Sequence, residues 1–140
     1  GKAVKQKFLN GLPALKKLVG AVKAVAQTKK QLRGLDGRLL QVRHQHAALN
    51  TLLQGAGAVV MKKALVILDA DLQAAGLIPE VHYGYCANVH DEIQIECDED
   101  KAEFVGQTMV NAIRKAGEYF NFRCPLDGEY KIGGNWNETH

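Results

Sequence analysis

From Gln45 to about Ala75 the chain repeats apolar residues at helical spacing, and no other feature limits its fold so strongly. Leu49, Leu52, Leu53, Ala56, Val60, Ala64, Ile67 and Leu68 form the stripe, and Gly76 suits a C-terminal stop. At 1.5 Å per residue this is a rod of roughly 45 Å. That is long for a chain of 140 residues, which supplies one compact domain and not two ordinary ones.

The remaining elements are short. Lys2 to Leu9 reads as the end of a helix stopped by Asn10-Gly11, and Pro13 suits the first turn of a second helix. That second helix carries Leu15, Leu18, Val19, Val22, Val25 and Ala26 on its apolar side. Gly34-Leu35-Asp36-Gly37-Arg38 breaks the period inside a predicted β-hairpin. Tyr83 to Val89 and Ile93 to Cys97 read as strands of a second hairpin, whose turn presents His90, Asp91 and Glu92. Asp98 to Asp100 is expected to cap a helix through Phe120, with Phe104, Met109, Ala112, Ile113 and Ala116 near its core face. A last strand is expected at about Leu126 to Lys131.

A net charge of +3 conceals a division. Residues 1–63 carry 13 of the 18 Lys and Arg and one acid, Asp36; residues 64–140 carry 14 of the 15 acids. A basic part beside an acidic part points to a polyanion contact on one side, and to metal binding or a solvated face on the other. The longest uncharged run of the long helix, Ala47 to Met61, holds Asn50, Thr51, Gln54 and small residues, so no membrane helix and no membrane partner are expected. Cys86, Cys97 and Cys124 are odd in number without metal-ligand spacing, and read as reduced, buried thiols of a cytosolic protein. An opening Gly-Lys-Ala without Met suggests a piece of something longer.

Three constellations could carry chemistry. In Val89-His90-Asp91-Glu92 two adjacent carboxylates meet at a tight turn, which is costly unless a cation or water neutralises them. Mg²⁺ favours one or two carboxylates with water and phosphate, and a two-ion centre needs ligands from another segment as well. On the long helix His46, Asn50 and Gln54 recur every fourth residue, so three polar side chains share one face. Asn and Gln can bond the minor-groove acceptors that nearly every base pair offers, sensing groove geometry without reading sequence. Gly55 and Gly57 beside them would let another backbone come close. Third, Lys16, Lys17, Lys23, Lys29, Lys30, Arg33, Arg38 and Arg43 could neutralise backbone phosphates. Each has a plain alternative: a solvated acidic turn, a solvent-facing polar stripe, a solvated lysine face. His44 and His82 suggest no role.

Taken together and in this order, these stretches resemble the C-terminal palm and fingers-flanking part of family A DNA polymerases, the DNA polymerase I type, and most of all its bacteriophage replicative branch. Lys7-Phe8-Leu9 with Pro13-Ala14, Gly34 to Arg38, His46 to Ala58, Val89 to Glu92, Asn121-Phe122-Arg123-Cys124, Gly134-Asn135-Trp136 and His140 carry the resemblance. It implies an α+β fold: a small antiparallel palm-type sheet with a motif C β-hairpin packed on long helices, plus a basic N-terminal helical arm. Residues 1–44 would be the basic arm and hairpin, and 45–140 the C-terminal part of the palm. It further implies Asp91 as the motif C ligand of the catalytic Mg²⁺ ions, Glu92 as an accessory acid, and His90 against the primer terminus. Asn50 and Gln54 would contact the minor groove, with His46 where many members have Arg. Arg38, Lys29, Lys30 and Arg33 would meet duplex backbone. Asn88 stands where other members often have Gln or an aromatic residue.

The resemblance also implies what else is needed. The motif A aspartate and the fingers helix that grips the nucleotide lie upstream of the region represented, so two-metal phosphoryl transfer is not expected of this chain alone. The expectation is a C-terminal fragment or split subunit of a DNA-directed DNA polymerase. Its partners would be primer-template DNA, nucleoside triphosphates in the complete enzyme, and the polymerase's N-terminal part. It would act in the cytoplasm, that of the host cell if phage-encoded. The rivals are a non-catalytic duplex DNA-binding module and a self-contained metal-dependent nuclease.

Overall fold

A computed structural model describes residues 1–139; His140 lies outside the described residues. The order is α1 (Lys2–Gly11), α2 (Pro13–Lys29), β1 (Gln31–Arg33), β2 (Leu39–Gln41), α3 (Ala48–Ala74), β3 (Tyr83–Val89), β4 (Glu92–Cys97), α4 (Ala102–Tyr119) and α5 (Trp136–Thr139). The fold is α+β, with two separate two-stranded antiparallel sheets. The chain divides into compact units at residues 1–56 and 57 onward.

In the first unit Leu12 separates α1 from α2, and Pro13 opens α2 where its missing N–H leaves nothing unsatisfied. Val22 and Ala26, one turn apart, are the buried positions of α2. They pack with Leu32, Val42 and Ala48, joined by Leu40 and Leu52. Lys30 ends the helix in the left-handed region (φ 53°), its N–H bonding Ala26 O. The hairpin expected around Gly34–Arg38 is present, pairing Gln31 with Gln41 and Arg33 with Leu39, and Gly37 supplies φ 84° at its turn. Leu15 and Val19 are half-buried, whereas Leu18 and Val25 stay exposed. Two buried residues thus anchor the helix, not the whole expected stripe.

The second unit is built on the rest of α3. Val60, Ala64, Leu68 and Leu72 recur every fourth residue at 6, 1, 0 and 0% exposure. Leu68 and Leu72 meet Leu77, Tyr83, Val105 and Ala112, with Ile95, Cys97 and Met109 against them. By length and apolar content α3, with the turn before it, is able to cross a membrane, against the expectation drawn from its polar residues. Here its apolar stripe serves instead as the core of a folded unit. Gly76 stops α3 as expected: at φ 86° it donates to Gln73 O (2.9 Å), while Leu77 N–H reaches Leu72 O (3.1 Å). This is a Schellman closure, completed by apolar contact between Leu77 and Leu72.

Three expectations for the C-terminal part fail. Asp98 makes no side-chain capping bond; Glu99–Lys101 form a 3₁₀ turn leading into α4. Phe104 is 45% exposed, and α4 buries Val105, Gly106, Thr108, Val110, Ala112, Ala116 and Gly117 instead. Finally, residues 126–131 form no strand. They run along α4: a Cβ on Gly106 would fall 2.3 Å from the Tyr130 ring, one on Gly117 2.8 Å from Leu126, and one on Gly128 2.9 Å from Ile113. Gly106 and Gly117 are three helical turns apart and so share a face. Tyr130 OH donates to Glu103, and Arg114 pairs with Asp127 at 2.9 Å. Asn121 (φ 54°) ends α4 by the same closure as Gly76, with Phe122 N–H on Gly117 O at 3.0 Å. The thiols are free, but Cys86 and Cys124 are exposed and Cys97 is half-buried.

Two predictions follow from this packing. Gly106→Ala should lower unfolding free energy by about 1–3 kcal/mol in urea titration, because the new methyl overlaps an aromatic ring. The second concerns Tyr83, whose hydroxyl donates to Asp69 at 2.7 Å. Burial, then the Asp69 hydrogen bond and charge, push its phenol up to about 12. A raised phenol pKa stabilises the fold below pH 10 and loses that contribution as pH rises toward 12. Tyr83→Phe should therefore flatten the decline of the urea midpoint across that window.

Candidate functional site

The β3–β4 hairpin reverses in two residues, His90 and Asp91, while Glu92 is already the first residue of β4 and pairs with Val89. So tight a reversal needs positive φ, which glycine usually supplies. Here His90 takes it, at φ 56°. A non-glycine residue in that region costs about 1–2 kcal/mol. Backbone strain of this kind concentrates where a side chain has work to do.

Asp91 and His90 are exposed, and among the described residues no hydrogen bond or ion pair engages the Asp91 carboxylate. Glu92 differs: it is half-buried and accepts a hydrogen bond from Gln94 Nε2. Gln94 Oε1 in turn accepts from Thr139 Oγ1 at 3.4 Å. Ile93, Ile95 and Cys97 alternate onto the core side of β4, leaving Glu92 and Gln94 on the other face.

Two adjacent carboxylates are hard oxygen donors of the kind Mg²⁺ takes. They fit as part of a centre: among the described residues no three His, Cys, Asp or Glu side chains converge as ligands. Away from the tip, Leu65, Val66 and Asp69 of α3 and Tyr85, Cys86, Ala87 and Asn88 of β3 line a cavity of about 480 Å³. Cys86 marks the irregularity in pairing between Tyr85 and Ala87. Burial, then the nearby Asp98 charge, pushes the Cys97 thiol up.

In the first unit Asn50 and Gln54 lie one turn apart on α3, both exposed. Neither amide has a hydrogen-bond partner among the described residues, so both remain available to an outside acceptor. His46 is not on that helix. It sits in the 3₁₀ turn Gln45–Ala47, its ring stacked on His44 at 5.4 Å and 10°. His44 thus has a partner that the sequence did not suggest, and so does His82, whose Nδ1 accepts from Ile78 N–H at 2.9 Å. Gly55 faces the Leu40 side chain (3.0 Å to a Cβ) rather than another backbone, and Gly57 has open space around it.

Of the basic residues, Lys29, Lys30 and Arg33 are exposed where α2 passes into β1. Arg38 is engaged: its Nε and Nη2 lie 2.6 and 2.5 Å from Asp36 Oδ2. Burial acts to raise the Asp36 carboxyl, but the hydrogen bonds and charge of Arg38 outweigh it and hold Asp36 below its usual range. Gln94 and Thr139 are the residues that sequence reasoning missed. The Glu-x-Gln alternation on a strand was a readable sign for Gln94; Thr139 offered none. Replacing His90 by Gly should relieve the turn and raise thermal stability by about 0.5–1 kcal/mol.

Comparison with known proteins converges on one family. The sequence profile of DNA polymerase family A matches residues 3–138. The DNA-directed DNA polymerases of Enterobacteria phage T3 and Escherichia phage T7 are each 40% identical over 157 residues, covering 100% of this chain and 22% of theirs. DNA polymerase I of Aquifex aeolicus is 29% identical over 137 residues, covering 96% of this chain and 23% of its own. The chain thus spans about a fifth of the length of the curated relatives it matches. Among solved structures, the POL domain of Pol1 from M. smegmatis, in complex with DNA primer-template and dNTP, superposes with TM-score 0.70. At 20% identity over 82% of this chain and 22% of that one, it shows the fold alone. With nearly every residue inside the matched pattern, the chain belongs to DNA polymerase family A.

Proposed function

We propose that this chain is the C-terminal palm portion of a DNA-directed DNA polymerase, contributing duplex contacts and one carboxylate anchor of the metal centre. The observation that carries this reading is the hairpin tip, where an exposed and unengaged Asp91 follows a strained His90 and precedes a bonded Glu92. Family membership supplies the reaction class; the tip supplies residues suited to it.

Asp91 and Glu92 would hold Mg²⁺, which when bound supplies the positive charge that favours 3′-hydroxyl attack and pyrophosphate departure. The other anchor and the nucleotide-gripping groups would come from the polymerase's N-terminal part. His90 positions the primer terminus from the turn. Asn50 and Gln54 offer free amides to minor-groove acceptors, independent of sequence. Lys29, Lys30 and Arg33 neutralise backbone phosphates, with His46 beside them as a lesser contact. Arg38 contributes less than the sequence suggested, because its guanidinium is already held by Asp36. A self-contained nuclease is the weaker reading, since the described residues bring no three ligands together.

In the complete polymerase, Asp91→Ala should reduce primer extension by about 10³-fold, near 4 kcal/mol of transition-state stabilisation. Unchanged extension would leave only a duplex-binding module. For DNA binding by the chain, Lys29→Ala, Lys30→Ala and Arg33→Ala together should lessen the log–log salt slope by about 2.7, from roughly 0.9 per phosphate contact. Arg38→Ala should change that slope by less than one such contact.

A further inference from the structure

Gln94 uses both ends of its amide. Its Nε2 donates to the Glu92 carboxylate, and its Oε1 accepts from the Thr139 hydroxyl. Only one orientation of the amide satisfies both neighbours, because a carboxylate can only accept and the carbonyl end cannot donate to it. All three side chains are half-buried. Thr139 also bonds Trp136 O at 3.1 Å, tying the hydroxyl to the short helix α5. The approach to α5 is ordered too: Glu138 accepts from Gly134 N–H and from Asn135 Nδ2, both at 2.8 Å. From the outer face of β4 to the C-terminal turn there is a continuous hydrogen-bonded path.

We infer that Gln94 is a positioning residue for Glu92, and that Thr139 holds Gln94 in the orientation that lets it do so. The inference rests on the polymerase reading for its functional consequence, but its structural part stands apart from that reading. A carboxylate beside an exposed Asp91 has several rotamers open to it. A donor fixed at i+2 on the same strand face removes some of them and keeps one carboxylate oxygen occupied. The second oxygen is left to face the metal side. Outer partners of metal-holding carboxylates commonly set affinity or rate in this way.

The chain contains a single tryptophan, Trp136, on the element that Thr139 anchors. Its emission and acrylamide quenching therefore report the tether directly in the 140-residue chain, without metal or DNA. Thr139→Val should lower the docked-to-undocked ratio of α5 about fivefold, the effect of one lost hydrogen bond. Emission should move to the red and quenching should increase, and Thr139→Ser should restore both. Gln94→Met, which keeps length and removes both polar ends, should do the same. Circular dichroism checks that each variant still folds.

The second measurement is the Mg²⁺ dependence of primer extension by the complete polymerase. Gln94→Met should raise the half-saturating Mg²⁺ concentration or lower kcat by about tenfold, leaving KM for primer-template unchanged. Thr139→Val should move the same constants in the same direction, and less. Unaltered Trp136 signals in both variants would overturn the tether. A shifted Trp136 signal with unaltered Mg²⁺ dependence would overturn the positioning role while leaving the polymerase reading intact. Full extension by Asp91→Ala would instead remove that reading and the positioning role with it, the fluorescence result still deciding the tether.

Discussion

Leu68 and Leu72 have no solvent exposure, and the second unit is arranged to keep them so. Burying a leucine side chain contributes about 1.5–3 kcal/mol, and emptying such a site costs about 2–5 kcal/mol. Every neighbouring element supplies part of their cover: Tyr83 from β3, Ile95 from β4, Val105 and Ala112 from α4, and Leu77 from the loop that leaves α3. Because Tyr83 and Ile95 must face α3, the hairpin has only one register that also keeps its polar positions outward. Where the tip lies along the hairpin is thus a consequence of where the leucines lie along the helix.

The two ends of that hairpin are treated differently. Near the core, Tyr83 is buried and bonded to Asp69, so the base of β3 is held by packing and by a hydrogen bond together. At the tip, His90 occupies an unfavourable backbone region and Asp91 is left in solvent. Stability is concentrated at one end and relinquished at the other. Glu92 stands between them, with one foot in each environment: half-buried and bonded to Gln94, yet next to the free carboxylate.

Much of this was readable from the chain, for physical reasons that can be named. The helix from residue 48 to 74 has a sustained apolar period and a glycine stop, and both signals are local. The hairpin at Gly34–Arg38 and the turn at His90–Asp91 likewise announce themselves through nearby residues. What could not be read depends on partners distant in sequence. Gly106 and Gly117 look like weak points in a helix, and only the Tyr130 and Leu126 side chains explain them. Residues 126–131 have the alternation of a strand but find a helix face in place of a strand edge. In the candidate site, Asp91, Asn50 and Gln54 stood out by residue type and spacing. The engagement of Arg38 by Asp36 did not, since three letters of sequence do not reveal a side chain folded back on its neighbour. His46 was assigned to the helix because periodicity does not distinguish a 3₁₀ turn from the first turn of an α-helix.

The strap formed by residues 126–130 along α4 has a kinetic meaning. The elements of the second unit pack on their predecessors in chain order, an arrangement of short-range contacts that favours fast folding. The strap cannot dock until α4 exists, since the notches at Gly106 and Gly117 are features of the helix and not of the extended chain. Its contacts therefore belong to the late side of the barrier, absent from the nucleus that joins α3, the hairpin and α4. Strengthening them would slow unfolding while leaving the folding rate nearly untouched. The C-terminal segment acts as a latch: it has little influence on how quickly this part of the polymerase forms, and much on how long it stays formed.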